Sequence, residues 1–148
     1  MTPGNSSAPL ANGIVVLVVG PSADDLFSLR GTLPSNWTLH IACDAAEAGQ
    51  ILRRTLIPVL LCESKLPDGN WKDLLAAVSG MRNPPLLIVM SRSADESLWA
   101  EVLNLGGYDV LAKPFNSVEF IRVMSMAWRR WKSDWKRGGA EAAIAQGV

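Results

Sequence analysis

Short, unbroken apolar runs recur along this chain and constrain its fold more than any other feature. They occupy residues 14–19, 59–62, 86–90 and 110–112, and a half-alternating segment, 37–42, lies between the first two. A strand with one face in water alternates apolar and polar side chains, whereas a continuous apolar run indicates burial on both faces. The runs therefore predict the strands of a parallel sheet that is covered by helices on both sides.

Helical patterns separate these segments; they cover residues 23–33, 45–55, 71–79, 94–105 and 117 to about 137. Asp44 can cap the second helix, and Asn116 is followed three residues later by Glu119, the spacing of a capping box. Strands and helices thus alternate five times, which with right-handed crossovers predicts an α/β fold. We expect a doubly wound (βα)5 sandwich, in which a five-stranded parallel sheet of order 2-1-3-4-5 carries helices on both faces.

Length and composition predict one domain with loosely attached ends. The 148 residues suffice for a single core, which we place at residues 13–131, between a flexible leader at 1–12 and an extension of the last helix with a frayed tail at 132–148. The formal net charge is zero, so we expect no binding of nucleic acid. No apolar stretch approaches the roughly 18 residues of a membrane span, and the start lacks the charged region of a secretion signal. We therefore expect a cytoplasmic protein without a membrane span.

Chemically distinctive residues follow the predicted strands at their carboxyl ends. Gly20 and Pro21 follow the first strand, Glu63 the third, Ser91 the fourth and Lys113 the fifth. In a doubly wound sheet, ligand sites lie outside these ends, where the strand order reverses between the first and third strands. A carboxylate, a hydroxyl and an ammonium group that meet there are suited to holding a phosphoryl group or an acidic side chain.

These segments resemble the receiver domains of two-component response regulators. The resemblance covers about residues 14–131, and its best motifs are LLCESKLPDG, PPLLIVMS and GGYDVLAKPF. It implies that Glu63, four residues before Pro67, stands at the phosphoacceptor position, and that Ser91 and Lys113 stand where the family contacts the phosphoryl group. It further implies a bacterial, flavodoxin-like domain of phosphorelay signalling that is no enzyme. The implied partner is a histidine kinase or another signalling protein, with a homodimer through helices 4 and 5 as a further option.

The chain departs from this family at the positions that carry its chemistry. Glu63 replaces the acceptor aspartate, the acidic pair that holds Mg²⁺ aligns with Gly20 and Pro21, and the aromatic switch residue aligns with Val110. Phosphoryl transfer to a carboxylate needs a metal such as Mg²⁺, which prefers oxygen ligands, and neither glycine nor proline has a side-chain oxygen. We therefore interpret the chain as a degenerate, phosphorylation-independent pseudo-receiver, without a cofactor, that acts through protein contacts.

Asp24 and Asp25 keep a second interpretation open, because they come shortly after the missing acidic pair. If they hold the metal instead, the domain accepts phosphate on Glu63. Acidic residues in the first turn of a helix are also favoured by the helix dipole, with no metal required. We prefer this simpler role for the two aspartates.

Glu63 itself has three interpretations. Its extra methylene group moves the carboxylate about 1.5 Å further toward Lys113 and Ser91, and errors of this size are costly for in-line attack. We favour a salt bridge to Lys113 that holds a fixed state. A structural remnant without a role and a true phosphoacceptor are the alternatives.

The last predicted helix carries a stripe of tryptophans. Trp128, Trp131 and Trp135 are spaced i, i+3 and i+7, so they share one face of the helix. From Trp128 onward the chain has five basic residues and two acidic ones. The stripe packs on its own domain or forms a partner surface in which arginines flank aromatic anchors. An interfacial membrane helix or a nucleic-acid contact, which would favour a longer basic run, is the remaining alternative.

A flavodoxin-like module that binds a small molecule is the remaining alternative. It would use the same crevice at the strand ends, and it predicts a concave, largely apolar site near Gly20 and Ser91. The residues after the first strand do not form a G-x-G-x-x-G phosphate loop, so the sequence does not indicate a dinucleotide.

Overall fold

A computed structural model describes the backbone of residues 13–145 and the side chains of residues 13–137. The predicted leader at 1–12 lies outside the described residues, as do the last three residues of the predicted tail. Within the described backbone, regular secondary structure extends from Val15 to Ala145.

Five parallel strands form the central sheet. Among the described residues, the strands are β1 (Val15–Val19), β2 (Thr38–Ala42), β3 (Val59–Glu63), β4 (Lys65–Leu66), β5 (Gly69–Asn70), β6 (Leu86–Ser91) and β7 (Asp109–Ala112). The two-residue strands β4 and β5 pair with each other in a small antiparallel hairpin, and the other five form the sheet in the order β2-β1-β3-β6-β7. Counted within the sheet alone, this is the predicted order 2-1-3-4-5, so the predicted doubly wound fold is confirmed.

Five helices cover the sheet on both faces. They are α1 (Ala23–Thr32), α2 (Ala45–Arg54), α3 (Trp71–Ser79), α4 (Glu96–Leu105) and α5 (Ser117–Ala145). Leu29 of α1 and Phe120 of α5 belong to the core on one face. Residues of α2, α3 and α4, such as Ile51, Leu74 and Val102, belong to the core on the other face. Because the central strands are buried on both faces, their sequences are continuous apolar runs.

Local capping explains where the helices begin and end. Asp44 caps α2 by accepting a hydrogen bond from the backbone N–H of Glu47 (2.8 Å), and Asn116 accepts one from Glu119 at the start of α5 (2.9 Å). α4 begins at Glu96, two residues later than predicted, because Asp95 is its cap. Gly106 ends the same helix in the left-handed conformation that glycine adopts easily.

α5 is longer than the sequence predicts. It continues across Gly138 and Gly139 to Ala145, although a pair of glycines favours fraying. Each glycine disfavours a helix by about 1 kcal/mol relative to alanine, and the alanine-rich residues that follow them favour it. Among the residues described, no helix combines the length and the apolar character that crossing a membrane requires.

The β4–β5 hairpin joins the carboxyl edge of the sheet to α2. The carboxylate of Asp68, between the two strands, accepts hydrogen bonds from the backbone N–H groups of Ala45 (3.0 Å) and Ala46 (3.1 Å). Leu66 in the hairpin is buried, and its side chain packs close to Gly20 at the end of β1. The hairpin therefore covers the strand end where the sequence places the candidate site.

Candidate functional site

The carboxyl ends of β1, β3 and β7 meet at one cluster of charged side chains. The ammonium group of Lys113, directly after β7, donates hydrogen bonds to Asp25 Oδ2 (2.9 Å) and to Glu63 Oε1. The exposed fractions of the three side chains are 8% for Lys113, 4% for Asp25 and 19% for Glu63. We call these three residues the lysine cluster. The ion pair between Glu63 and Lys113 that the sequence predicts is present, and Asp25 is an additional partner.

Asp25 reaches the cluster from the first turn of α1. Ser22 and Asp25 form a capping box, in which the Ser22 hydroxyl accepts from the Asp25 N–H (3.0 Å) and the Asp25 carboxylate accepts from the Ser22 N–H (3.0 Å). Burial raises the pKa of Asp25, but the hydrogen bond from the Ser22 backbone and the Lys113 ammonium outweigh it, so the pKa is lowered overall. Asp25 therefore stands as a carboxylate with two fixed donors.

Both oxygens of Glu63 are already engaged. Oε1 accepts from Lys113, and Oε2 accepts from the backbone N–H (3.0 Å) and the hydroxyl group (3.1 Å) of Ser64. Burial alone would lower the pKa of Lys113, but the hydrogen bonds and charges of Glu63 and Asp25 raise it above its ordinary value. The cluster consequently holds one ammonium and two carboxylates in a fixed arrangement.

The position of Gly20 leaves no room for a metal-binding side chain. Gly20 has φ 75°, and a Cβ atom added there would lie 2.6 Å from Leu66 Cδ2 and 3.3 Å from Glu63 Cβ. The left-handed backbone and the contact with Leu66 both disfavour any residue other than glycine. Pro21 supplies no side-chain oxygen either.

The residues at this edge of the sheet do not fit a Mg²⁺ ion. The ammonium group of Lys113 lies between the two carboxylates that could coordinate a cation, and Mg²⁺ needs several oxygens in near-octahedral geometry. Within residues 13–137, no group of three or more histidine, cysteine, aspartate or glutamate side chains could hold a metal. Asp24 is exposed on α1 and belongs to none of the ion pairs that involve described side chains.

Ser91 lies near the end of its strand but is held by a different contact. Its side chain is buried, and its hydroxyl group accepts a hydrogen bond from the backbone N–H of Ser93 (3.0 Å). The backbone N–H of Lys113 donates to the Ser91 carbonyl (3.0 Å), so the two residues are neighbours through the main chain. Among the described hydrogen bonds, none joins the Ser91 hydroxyl to the lysine cluster.

The predicted switch position, Val110, lies on β7 and is half-buried against the core. It lines a cleft of about 270 Å³ together with Trp99 of α4 and Glu119 of α5. Trp99 is half exposed, and its indole N–H donates to Asp109 Oδ1 (3.0 Å). Trp99 could not be singled out from the sequence, because its neighbours Leu98 and Ala100 are also apolar and give it no distinguishing pattern.

The three tryptophans of α5 offer little free surface. Trp131 is buried, and Trp128 and Trp135 are half-buried. The rings of Trp131 and Trp135 lie 5.2 Å apart, and Lys132 Nζ lies 3.6 Å from the centre of the Trp128 ring. Among the described side chains of α5, the large apolar groups that are most exposed are Val118 and Met126.

No protein-family model matches this chain, and no curated protein sequence matches it either. Solved structures of other proteins are similar to it. The signal receiver domain of an HD domain-containing protein from Pseudomonas fluorescens Pf-5 is 26% identical, with a TM-score of 0.77 over 88% of this chain and 97% of that one. The receiver domain of a putative Luxo repressor protein from Vibrio parahaemolyticus is 20% identical, with a TM-score of 0.73 over 82% and 95%.

A third similar structure is the beryllofluoride-activated NtrC4 receiver domain, solved as a dimer in solution. It is 21% identical, with a TM-score of 0.71 over 79% of this chain and 98% of that one. All three similar proteins are receiver domains, and each is matched over nearly its whole length. The chain therefore has the fold of response regulator receiver domains.

Proposed function

We propose that this protein is a receiver-like domain of two-component signalling that works through protein contacts and independently of phosphorylation. The observation that carries the proposal is the position of the Lys113 ammonium group between the carboxylates of Asp25 and Glu63. In this role the domain is a binding module and not an enzyme.

Three features of the cluster oppose phosphoryl transfer to Glu63. Both of its oxygens already accept hydrogen bonds, which fix the carboxylate and reduce its nucleophilicity toward a phosphorus atom. The charge on the transferred group would need a metal to neutralise it, and the position of Gly20 cannot supply a ligand. A phosphoryl group would also place new negative charge beside Asp25. In this proposal the Lys113 ammonium group permanently occupies the space between the two carboxylates, where an active receiver domain would hold a metal ion and a phosphoryl group.

The face formed by α4, β7 and α5 supports a role in protein contact. α4 exposes Trp99, Leu103 and Leu105, and α5 exposes Val118 and Met126. Exposed aromatic and aliphatic groups of this kind are typical of interfaces when they are grouped on one surface. The partner would be a histidine kinase, another signalling protein or a second copy of the chain.

Charge distribution favours the second copy among these partners. α4 carries Glu96 at the cleft it shares with α5, whereas its Glu101 pairs with Lys72 of α3. The described part of α5 carries more basic than acidic side chains. A two-fold arrangement places the acidic helix of one copy against the basic helix of the other, which is favourable on both sides of the axis. The NtrC4 receiver domain, which has a similar fold, was solved as a dimer.

Incubation with a small phosphodonor such as acetyl phosphate, with and without Mg²⁺, tests the proposal through intact mass. We expect no gain of mass by the wild type or by Glu63→Asp, because restoring the aspartate does not create ligands at Gly20. A stable, Mg²⁺-dependent gain of one phosphoryl group by the wild type would favour the alternative in which Glu63 accepts phosphate and Asp24 or Asp25 holds the metal.

A small-molecule site near Gly20 and Ser91 receives no support from the geometry. The cleft beside Ser91, of about 370 Å³, is lined mainly by polar and charged side chains, including Lys72 and Glu101, which pair with each other at 2.6 Å. Leu66 occupies the space beside Gly20. An apolar hollow exists elsewhere in the molecule.

A further inference from the structure

A largely apolar groove lies between α2 and α3. Its volume is about 330 Å³, and it is lined by Ala45, Gly49, Leu52, Arg53, Asp73, Leu74, Ala77, Val78 and Met81. It lies on the face of the sheet away from α5. None of its residues takes part in the proposed phosphorylation-independent function.

Small residues open this groove down to the core. Ala45, Gly49 and Ala77 contribute almost no side chain, and a Cβ atom added at Gly49 would meet nothing within 4 Å. Leu74 and Val78, at its floor, are buried members of the hydrophobic core. The groove therefore reaches down to core side chains, and its volume falls within the range of small-ligand sites.

The walls of the groove are held in place by capping contacts at one end. Asp68 accepts hydrogen bonds from the first backbone N–H groups of α2, next to Ala45. At the start of α3, the side chain of Asn70 accepts from the N–H of Asp73, while the Asp73 carboxylate accepts from the N–H of Asn70 (3.0 Å). A pre-formed site of this kind binds without first ordering its walls.

The two ends of the groove differ in charge. Both helices follow parallel strands and run in the same direction, so Ala45 and Asp73 lie at one end, and Arg53 and Met81 at the other. The eight residue steps from Ala45 to Arg53 span about 12 Å at the helical rise. The Asp73 carboxylate is already committed to its cap, whereas Arg53 belongs to none of the salt bridges found among the described side chains.

The end at Arg53 continues into a second, basic cleft. This cleft, of about 280 Å³, shares Leu52, Arg53 and Met81 with the groove and adds Arg54 and Arg82. Arginines in the last turn of a helix offset its dipole, but Arg82 follows α3 and is not explained in that way. Three guanidinium groups beside an apolar channel favour a ligand with a negative head and an apolar body.

We propose that the groove between α2 and α3 binds a small, elongated amphipathic anion of the medium-chain carboxylate class. The acyl chain lies along Gly49 and Ala77, and the carboxylate lies at Arg53. The size of the groove selects this occupant over a partner helix, which is about 10 Å wide and would require a much larger opening. A chain of about ten carbons matches the 12 Å between the two ends.

Titration of ¹⁵N-labelled protein with sodium decanoate below its micelle concentration tests the proposal, and decyltrimethylammonium provides the same chain with the opposite charge. We expect saturable amide shifts confined to residues 45–54 and 73–82 with decanoate, and much weaker shifts with the cation. An unsaturated drift of shifts over the whole surface, or equal binding of the cation, would overturn the proposal.

Matched variants locate the binding in the groove. Gly49→Leu fills the channel and should abolish the shifts, whereas Gly31→Leu, at another helical glycine with nothing within 4 Å of its added Cβ, should leave them unchanged. Arg53→Gln should weaken decanoate about five-fold, as expected for one partly exposed ion pair, and Arg30→Gln in the last turn of α1 should not.

Both leucine variants replace glycine in a helix, so the change itself favours the helix. Ala77→Leu fills the groove from the α3 side and serves as a second blocking variant. Unchanged decanoate binding by Gly49→Leu and Ala77→Leu, with dispersed spectra that show a folded protein, would overturn the proposal.

Discussion

Two charged clusters of this protein have the same design with opposite signs. In the lysine cluster, one ammonium group lies between the carboxylates of Asp25 and Glu63. On α5, the carboxylate of Asp134 lies between the guanidinium groups of Arg130 (3.4 Å) and Arg137 (2.5 Å). The first cluster is almost closed to water, with side-chain exposures of 4–19%, whereas the second is 44–64% exposed.

Burial, more than the number of ion pairs, decides how much a charge cluster contributes to stability and how easily its arrangement changes. Water and salt compete with the pairs on α5, so their contribution to stability is small. In the lysine cluster the charges have lost most of their water and depend on each other. Removal of one side chain there leaves a buried charge without a partner, which is energetically costly. The arrangement of the three side chains is therefore expected to stay fixed.

The largest effect is expected for Lys113→Met, which keeps the apolar length of the side chain and removes its charge. Two carboxylates then face each other with little water, and we expect the free energy of unfolding at pH 7 to fall by about 3 kcal/mol. Urea unfolding measures the change.

A triple variant sharpens this prediction. Lys113→Met combined with Asp25→Asn and Glu63→Gln removes all three charges, and should recover much of the stability because no charge remains unpaired. A loss below about 1 kcal/mol for Lys113→Met alone would mean that the buried cluster behaves like a surface pair.

The next effect concerns the pH dependence of stability. The pKa of Asp25 is lowered in the folded protein, so its stabilising contribution is complete above its unfolded pKa of about 3.9 and is lost as the pH falls through the folded pKa. We expect that Asp25→Asn makes the unfolding free energy fall less steeply as the pH is lowered below about 4, a range that we call the acid limb of the stability curve. Asp24→Asn, which changes an exposed neighbour, should leave that limb as in the wild type.

Lys113 adds an alkaline limb of the opposite sign. Its pKa is raised, so its contribution is complete below the unfolded pKa of about 10.4 and is lost as the pH rises through the folded value. Burial raises the pKa of the Cys62 thiol to about 12, so stability also declines above about pH 8.5, where an unfolded thiol ionises, and should be level only between the acid limb and that pH. An acid limb that is equally steep in Asp25→Asn and the wild type would show that Asp25 is not held by the cluster.

The smallest effect is expected for the exposed cluster. Asp134→Ala removes the carboxylate between Arg130 and Arg137 and should change the free energy of unfolding by no more than about 0.5 kcal/mol, with a still smaller effect at 1 M salt. A loss comparable with that of Lys113→Met would contradict the role assigned to burial.

Much of the fold could be predicted from the sequence. Strands that are buried on both faces need apolar side chains at every position, and residues 59–62 and 86–90 are continuous apolar runs of this kind. Helix caps such as Asp44 could also be predicted, because a cap depends only on residues that are close to it in the sequence. The β4–β5 hairpin was not predicted, since two-residue strands carry no periodicity. The continuation of α5 beyond Gly138 was also not predicted. Two consecutive glycines disfavour a helix, and this local preference was given more weight than the helix propensity of the alanine-rich residues that follow.

The candidate site could be predicted only in part. Glu63 and Lys113 stand at strand ends, and their pairing followed from that position. Asp25 was assigned to the helix dipole, and its contact with Lys113, 88 residues away, has no signal in the spacing of the sequence. A signal existed in the capping box with Ser22, which turns the Asp25 carboxylate back toward the start of α1, and thus toward the strand ends.

The filled site at Lys113 is tested most directly by crystals of the protein soaked with Mg²⁺ and beryllofluoride, a mimic of the phosphoryl group. We predict that the Lys113 ammonium group stays between Asp25 and Glu63, with no metal coordinated by either carboxylate. A Mg²⁺ ion bound to Glu63 or Asp25, with beryllofluoride on the Glu63 carboxylate and Lys113 displaced toward it, would contradict this account.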